Sequence, residues 1–307
     1  MKTKIGMALF GMALAVCEPA IHAQRTPNIF PPEEAFTVTT NITYTQGANG
    51  PLKADAYIPM GKGPFPGVVF IHGGGWKNGN RNQMIKLIKA LAEDGFVGFT
   101  IEYDVDPVPF PNSFHESLAA VKYFREHAAE FHLDPSRVAV AGSSAGGELA
   151  ALVALNPSGT PLKDGEEPKA GNAGGVQAAV ILNGVLDLTD EAQTHEAGMV
   201  TQYLGGTCEE KMSACKDASP VFHVHAGAPP IYVGHGTLDP TVPFAEAVAF
   251  TSALKEAHVP VQFFQAEGAK HTFWADPRFY AANLEAVKEF LAVHLKNGKK
   301  TLHEPGL

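Results

Sequence analysis

A chain of 307 residues, 45% hydrophobic and 18% charged, has an ordinary globular balance and the length for one large α/β domain or two small ones. Its formal net charge is −9, from 23 Lys and Arg against 32 Asp and Glu, with no basic run beyond Lys296-Asn-Gly-Lys-Lys300, so a nucleic-acid partner is not expected. No internal stretch approaches the roughly 18 consecutive apolar residues of a membrane helix, so stable membrane insertion is not expected either.

Residues 1–23 read as a secretory signal: Lys2 and Lys4, an apolar run from Ile5 to Val16, and a small-residue cleavage site ending at Ala23. The product would be secreted or periplasmic. A lipoprotein signal lipidated at Cys17 is the weaker reading, because Val16 stands where that motif takes Gly, Ala or Ser. Residues 24–34 are rich in proline and lack periodicity, a linker or arm, and a single domain is expected over 35–307.

Residues 36–45 and 52–58 alternate polar and apolar side chains around the turn Gln46-Gly-Ala-Asn-Gly-Pro51, which predicts an antiparallel hairpin. The texture then changes. Segments 67–71, 96–101, 137–140, 178–182, 231–233 and 261–264 are short and almost continuously apolar, the pattern of strands buried on both faces. Between them, 81–94, 113–131, 145–155, 244–257 and 277–295 carry helical patterns. Strand alternating with helix predicts an α/β fold, a mostly parallel central sheet with helices on both faces and the antiparallel hairpin at its N-terminal side. Asp94-Gly95 reads as a helix stop and Asp134-Pro135 as a turn before a strand. Segments 156–176 and 186–229, rich in Gly, Pro and Asp, read as insertions that shape the mouth of a site. Glu116 is expected on a solvated helix face.

Loss of the signal removes Cys17 and leaves Cys208 and Cys215 as an even pair, for which a disulfide is expected across a polar surface loop. Two free thiols are the bland alternative, and no suitably spaced Cys or His partner supports zinc.

The chemistry centres on Gly142-Ser143-Ser144-Ala145-Gly146, between a strand-like run and a helix-like run. A serine at the apex of such a turn is thrust out of the sheet, and small residues two places either side let the chain double back. A serine hydroxyl is a poor nucleophile at neutral pH unless an imidazole takes its proton and a carboxylate orients that imidazole. Asp239, in Gly234-His-Gly-Thr-Leu-Asp-Pro240, and His271, in Glu267-Gly-Ala-Lys-His-Thr-Phe273, each follow a predicted strand, in the order serine, acid, histidine. Asp187 is the rival acid. His235 is a rival base that breaks the order. Backbone N–H donors for an oxyanion are expected from Ala145, at the start of the helix after the serine, and from Gly73 and Gly74 in His72-Gly-Gly-Gly-Trp76. That glycine run lacks the spacing of a phosphate loop. Trp76, Phe110, Phe273 and Trp274 flank these loops as candidate pocket residues, with buried packing the commoner fate of aromatics.

These motifs, with Ala218-Ser-Pro-Val221, resemble those of the α/β-hydrolase superfamily. Within it, they are most similar to the bacterial feruloyl and acetyl-xylan esterase-like group, related to hormone-sensitive-lipase-type esterases. The resemblance runs from about Gly67 to Leu295. It implies catalytic roles for Ser144, Asp239 and His271, no metal or organic cofactor, and a small-molecule or polysaccharide ester as the partner. Two departures stand out: Glu148 occupies a place where such esterases commonly have histidine, and Glu102-Tyr-Asp-Val-Asp-Pro107 lacks the arginine that often follows that tyrosine. The expected activity is an exported serine esterase working through an acyl-enzyme on short acyl or feruloyl esters of carbohydrate. A lipase-like esterase and a peptidase of prolyl-oligopeptidase type are the rivals, and a non-catalytic carbohydrate-binding protein of the same fold is the remote one.

Overall fold

The computed structural model describes residues 35–156, 175–189 and 197–296. The signal segment, Cys17, the arm over 24–34 and most of the first insertion lie outside the described residues. Eight strands form one sheet: β1 (Phe36–Gly47), β2 (Gly50–Pro59), β3 (Phe65–Ile71), β4 (Val97–Ile101), β5 (Leu133–Ser143), β6 (Ala178–Leu182), β7 (Ile231–Gly236) and β8 (Val261–Ala266). Their spatial order is β1-β2-β4-β3-β5-β6-β7-β8. The hairpin β1–β2 is antiparallel, and β2 also runs antiparallel to β4; every pairing from β4 through β3 to β8 is parallel. Parallel strands present all their C-terminal ends at one edge, so the loops after β3, β5, β7 and β8 converge there.

The sheet is buried on both faces, which is why its strands carry apolar runs instead of alternation. Along β3, Val69 and Ile71 face one core, with residues of α2 (Asn112–Glu126), α3 (Ala145–Leu155) and α6 (Phe244–Glu256). Val68 and Phe70 face the other, with α1 (Ile85–Glu93) and α7 (Pro277–Leu291). No described helix is long and apolar enough to cross a membrane.

Four local expectations change. The helix expected from Arg81 starts at Ile85, because Asn80 Oδ1 accepts the Asn82 N–H at 2.9 Å and spends residues 80–84 in a turn. The Asp134-Pro135 turn is an irregularity inside β5: the register jumps from Phe65↔Leu133 to Gly67↔Val138, and Asp134 Oδ1 accepts from Ser136 N at 2.9 Å. Glu116 is buried, not solvated. Its Oε2 accepts the Asp104 N–H at 2.7 Å, and burial pushes its carboxyl up to about 7. The second insertion, expected as loop, holds α4 (Ala197–Leu204) and α5 (Met212–Asp217).

Cys208 and Cys215 form a disulfide. It is not on an exposed loop: Cys208 is 3% and Cys215 0% exposed, and each sulfur lies 3.1 Å from the Leu188 carbonyl oxygen. Cys215 is on the inward side of α5, so the bridge pins that helix to the segment just before it, with both sulfurs packed against the chain leaving β6. Closing so short a loop stabilises by about 2 kcal/mol in the chain-entropy picture. Replacing both cysteines by serine is expected to lower the thermal midpoint by roughly 4–8 °C in a calorimetric scan.

Candidate active site

The tight turn after β5 brings Ser144 to the edge of the sheet. Ser144 has φ +55°, a left-handed conformation that costs a non-glycine residue free energy and persists where the surroundings impose it. Its N–H donates to Leu182 O at 2.9 Å, and α3 starts at the next residue. Glycine is required on both sides: a Cβ on Gly142 would collide with the Gly146 carbonyl, and one on Gly146 with the carbonyl oxygens of Ile71 and His72. Close packing of the elbow on β3 therefore fixes where the hydroxyl emerges.

His271, after β8, and Asp239, after β7, meet it there. Ser144 Oγ lies 2.9 Å from His271 Nε2, and His271 Nδ1 lies 2.7 Å from Asp239 Oδ2. Ser143 is buried, with its Oγ 3.3 Å from Gln83 Oε1, and takes no part in this chain of contacts. The Asp239 side chain is fully buried, with Oδ1 accepting the N–H groups of Thr241 at 2.8 Å and Val242 at 3.1 Å. Burial alone would raise its pKa. The hydrogen bonds from His235, His271 and Thr241 outweigh that and hold the carboxyl well below the usual carboxylate range. Asp239 therefore stays an anion and an acceptor, and His271 keeps its proton on Nδ1 with the Nε2 lone pair turned to the serine.

The two rivals have other places. Asp187 caps its own turn, accepting from Thr189 N at 2.9 Å. His235 is fully buried on the far side of the acid, its Nε2 3.0 Å from Val242 O and 3.3 Å from Asp239 Oδ2. It supports Asp239 and does not reach Ser144.

The glycine loop requires a correction. Gly73 donates its N–H to Gln83 Oε1 at 2.6 Å, so that donor is engaged inside the loop and not held ready for an oxyanion. Gly74, at φ +128°, and Gly75, at φ +59°, turn the chain so that they line the cleft with Ser144 and Ala145. The described residues offer the N–H groups of Gly74, Gly75 and Ala145 no acceptor. The opening of α3 adds its dipole at the same point. The arrangement is a base-activated hydroxyl facing backbone donors, which is suited to attack on an acyl carbon.

The cleft has a volume of about 260 Å³ and includes Val185, Met199 and Trp274 on its walls. Trp76 lines it too, whereas Phe110 packs edge-on to Tyr203 and Phe273 is buried in the core. Two site residues escaped the sequence reading. Gln83 braces the glycine loop, and nothing in its local sequence distinguishes it. Asn183, the first residue past β6, places Nδ2 3.2 Å from His271 Nε2; its position directly after a predicted strand was the available signal.

Residues 54–254 match the BD-FAE family model. The chain belongs to the BD-FAE family. Among relatives of this BD-FAE chain, Esterase LipQ of Mycobacterium tuberculosis is 34% identical over 74% of the chain and 55% of the relative. The probable carboxylic ester hydrolase LipM of the same organism is 33% identical over 75% of the chain and 54% of the relative. The chain thus spans about half the length of these relatives. Among solved structures, the apo form of Thermogutta terrifontis esterase 2 superposes with a TM-score of 0.69 at 31% identity, covering 84% of this chain and 94% of that one. The same esterase phosphonylated by sarin gives 0.71 at 30% identity, covering 83% and 94%. The BD-FAE chain has the α/β-hydrolase fold.

Proposed function

We propose that this chain is a serine carboxylic-ester hydrolase working through an acyl-enzyme. The observation that carries the reading is the continuous chain Ser144 Oγ to His271 Nε2 to Asp239 Oδ2, at 2.9 and 2.7 Å, beside the N–H groups of Gly74, Gly75 and Ala145, to which no described residue offers an acceptor. Family membership and the names of the matched relatives agree with it.

In this mechanism Ser144 Oγ attacks the ester carbonyl carbon while His271 Nε2 takes the hydroxyl proton. The carbonyl oxygen becomes an anion held by Gly74, Gly75 and Ala145 N–H. As the carbon–oxygen bond to the alcohol breaks, His271 returns the proton to the departing oxygen and leaves an ester on Ser144. Water, deprotonated by His271, then releases the acid and restores the serine.

The cleft supports a compact substrate. About 260 Å³, walled by Met199, Val185 and Trp274, suits a short acyl group better than a long chain. We further propose export through the segment 1–23 and esters of carbohydrates, acetyl or feruloyl, as the substrate class. A panel of acetylated xylan, methyl ferulate, nitrophenyl esters of rising chain length and matched amides tests this. The expected result is highest kcat/KM on short or feruloyl esters and no amide cleavage; preference for long acyl chains or amides would contradict the substrate class.

Gln83 supplies a check on the oxyanion assignment. In Gln83→Ala, Gly73 N–H loses its acceptor and the glycine loop its brace, so kcat on nitrophenyl acetate is expected to fall about ten-fold with little change in KM.

A further inference from the structure

Among the described residues, the mechanism leaves one fully buried carboxyl group without a role. Glu148 lies one turn into α3, its N–H bonded to the Ser144 carbonyl at 3.1 Å, and its side chain is 0% exposed. A carboxyl group is costly in a helix otherwise buried and apolar. Burial drives its pKa well above the carboxylate range, partly offset by hydrogen bonds from Trp76 and Tyr203. Those two contacts are what the side chain gains. Oε2 accepts the Trp76 indole N–H at 3.1 Å, and the Tyr203 hydroxyl lies 3.4 and 3.5 Å from the two carboxyl oxygens.

Both contacts lead to the walls of the cleft. Trp76 ends the glycine loop and has φ +54°, directly after two glycines that also have positive φ. A bulky residue keeps that backbone only where its side chain is firmly held. Glu148 holds the indole N–H, and Tyr203 stacks on the ring with centroids 4.3 Å apart and planes 6° from parallel. Tyr203 belongs to α4, whose Met199 lies against Gly75 so closely that a Cβ there would meet its sulfur. The Tyr203 backbone is in turn tied to the loop before α2, Phe110 N–H donating to Tyr203 O at 2.8 Å.

We propose that Glu148 is a positioning residue for the oxyanion donors. By holding Trp76 it fixes the turn that aims Gly74 and Gly75 N–H into the cleft, and through Tyr203 it secures α4 and Met199 against the same loop. Nucleophile, oxyanion loop and acyl wall are thereby joined at one side chain that lies behind the cleft and does not touch substrate. The proposal rests on the ester-hydrolase reading above.

The test compares Glu148→Leu, which keeps bulk and loses the acceptor, with Glu148→Gln, which keeps an acceptor for the indole. Steady-state kinetics on nitrophenyl acetate are read on protein whose circular dichroism matches wild type. For Glu148→Leu, kcat is expected to fall roughly ten- to a hundred-fold with KM changed less than about three-fold. Glu148→Gln is expected to recover kcat to within about three-fold of wild type. If Glu148→Leu does not fold, Trp76→Phe replaces it, since it removes the indole donor and leaves a ring against Tyr203; the same loss in kcat is expected. Wild-type kcat in folded Glu148→Leu or Trp76→Phe, a loss confined to KM, or a Gln variant as impaired as the Leu variant would overturn the proposal. Wild-type protein without ester turnover would instead overturn the reading on which it rests.

Discussion

Replacing Ser144 with alanine is expected to lower the turnover of nitrophenyl acetate by about 10⁴-fold or more. The hydroxyl 2.9 Å from His271 Nε2 is the only atom that changes. Alanine keeps the Cβ, so the positive φ at the elbow is neither relieved nor worsened, and the Ser144 N–H bond to Leu182 O is retained. The thermal midpoint should therefore stay within about 2 °C of wild type. Turnover assays and a thermal scan on the same preparation separate lost chemistry from lost fold. Undiminished turnover in the folded variant would remove Ser144 from the mechanism.

Asp239→Asn is expected to be nearly as severe, with kcat about 10³- to 10⁴-fold lower, and it should also destabilise. The two carboxyl oxygens have different duties: Oδ1 accepts from Thr241 and Val242 N–H, and Oδ2 faces His271 and His235. An asparagine that keeps the turn must point its NH₂ at His271 Nδ1. That forces the proton of a neutral ring onto Nε2, where it can no longer accept the Ser144 proton. The opposite amide orientation points two donors at the N–H groups of Thr241 and Val242 and opens the turn. Neither orientation satisfies all four neighbours, and the site is buried, so the midpoint should fall by at least a few degrees. A kcat within ten-fold of wild type would show that Asp239 does not set the tautomer of His271.

The sequence disclosed the parts of this site that are local. Gly142, Ser144 and Gly146 define an elbow because each acts within one turn, and the strand-end positions of Asp239 and His271 follow from runs of apolar residues that need no partner to recognise. What stayed hidden depends on contacts across the chain. Gly73 and Gly75 look alike in a run of three glycines. Only the Gln83 side chain, in a stretch read as helix and folded as a turn, takes the N–H of the first. Helices α4 and α5 were concealed by the Gly, Cys and polar content of their segment; their order comes from burial of Tyr203, Leu204 and Cys215 against the core. Glu148 was visible as a departure from the esterases it resembles, yet its burial between Trp76 and Tyr203 required both the glycine loop and the second insertion to be in place.

Covalent trapping of the nucleophile tests the central claim most directly. Paraoxon transfers its diethylphosphoryl group to a base-activated serine hydroxyl, with nitrophenolate as the leaving group. The full chain, shown to turn over an ester, is treated with paraoxon, digested and examined by mass spectrometry. The account predicts one diethylphosphoryl group on the peptide containing Ser144, appearing in step with loss of activity and absent from Ser144→Ala. Inactivation without modification of Ser144, or an adduct at another residue that tracks the loss, would contradict it.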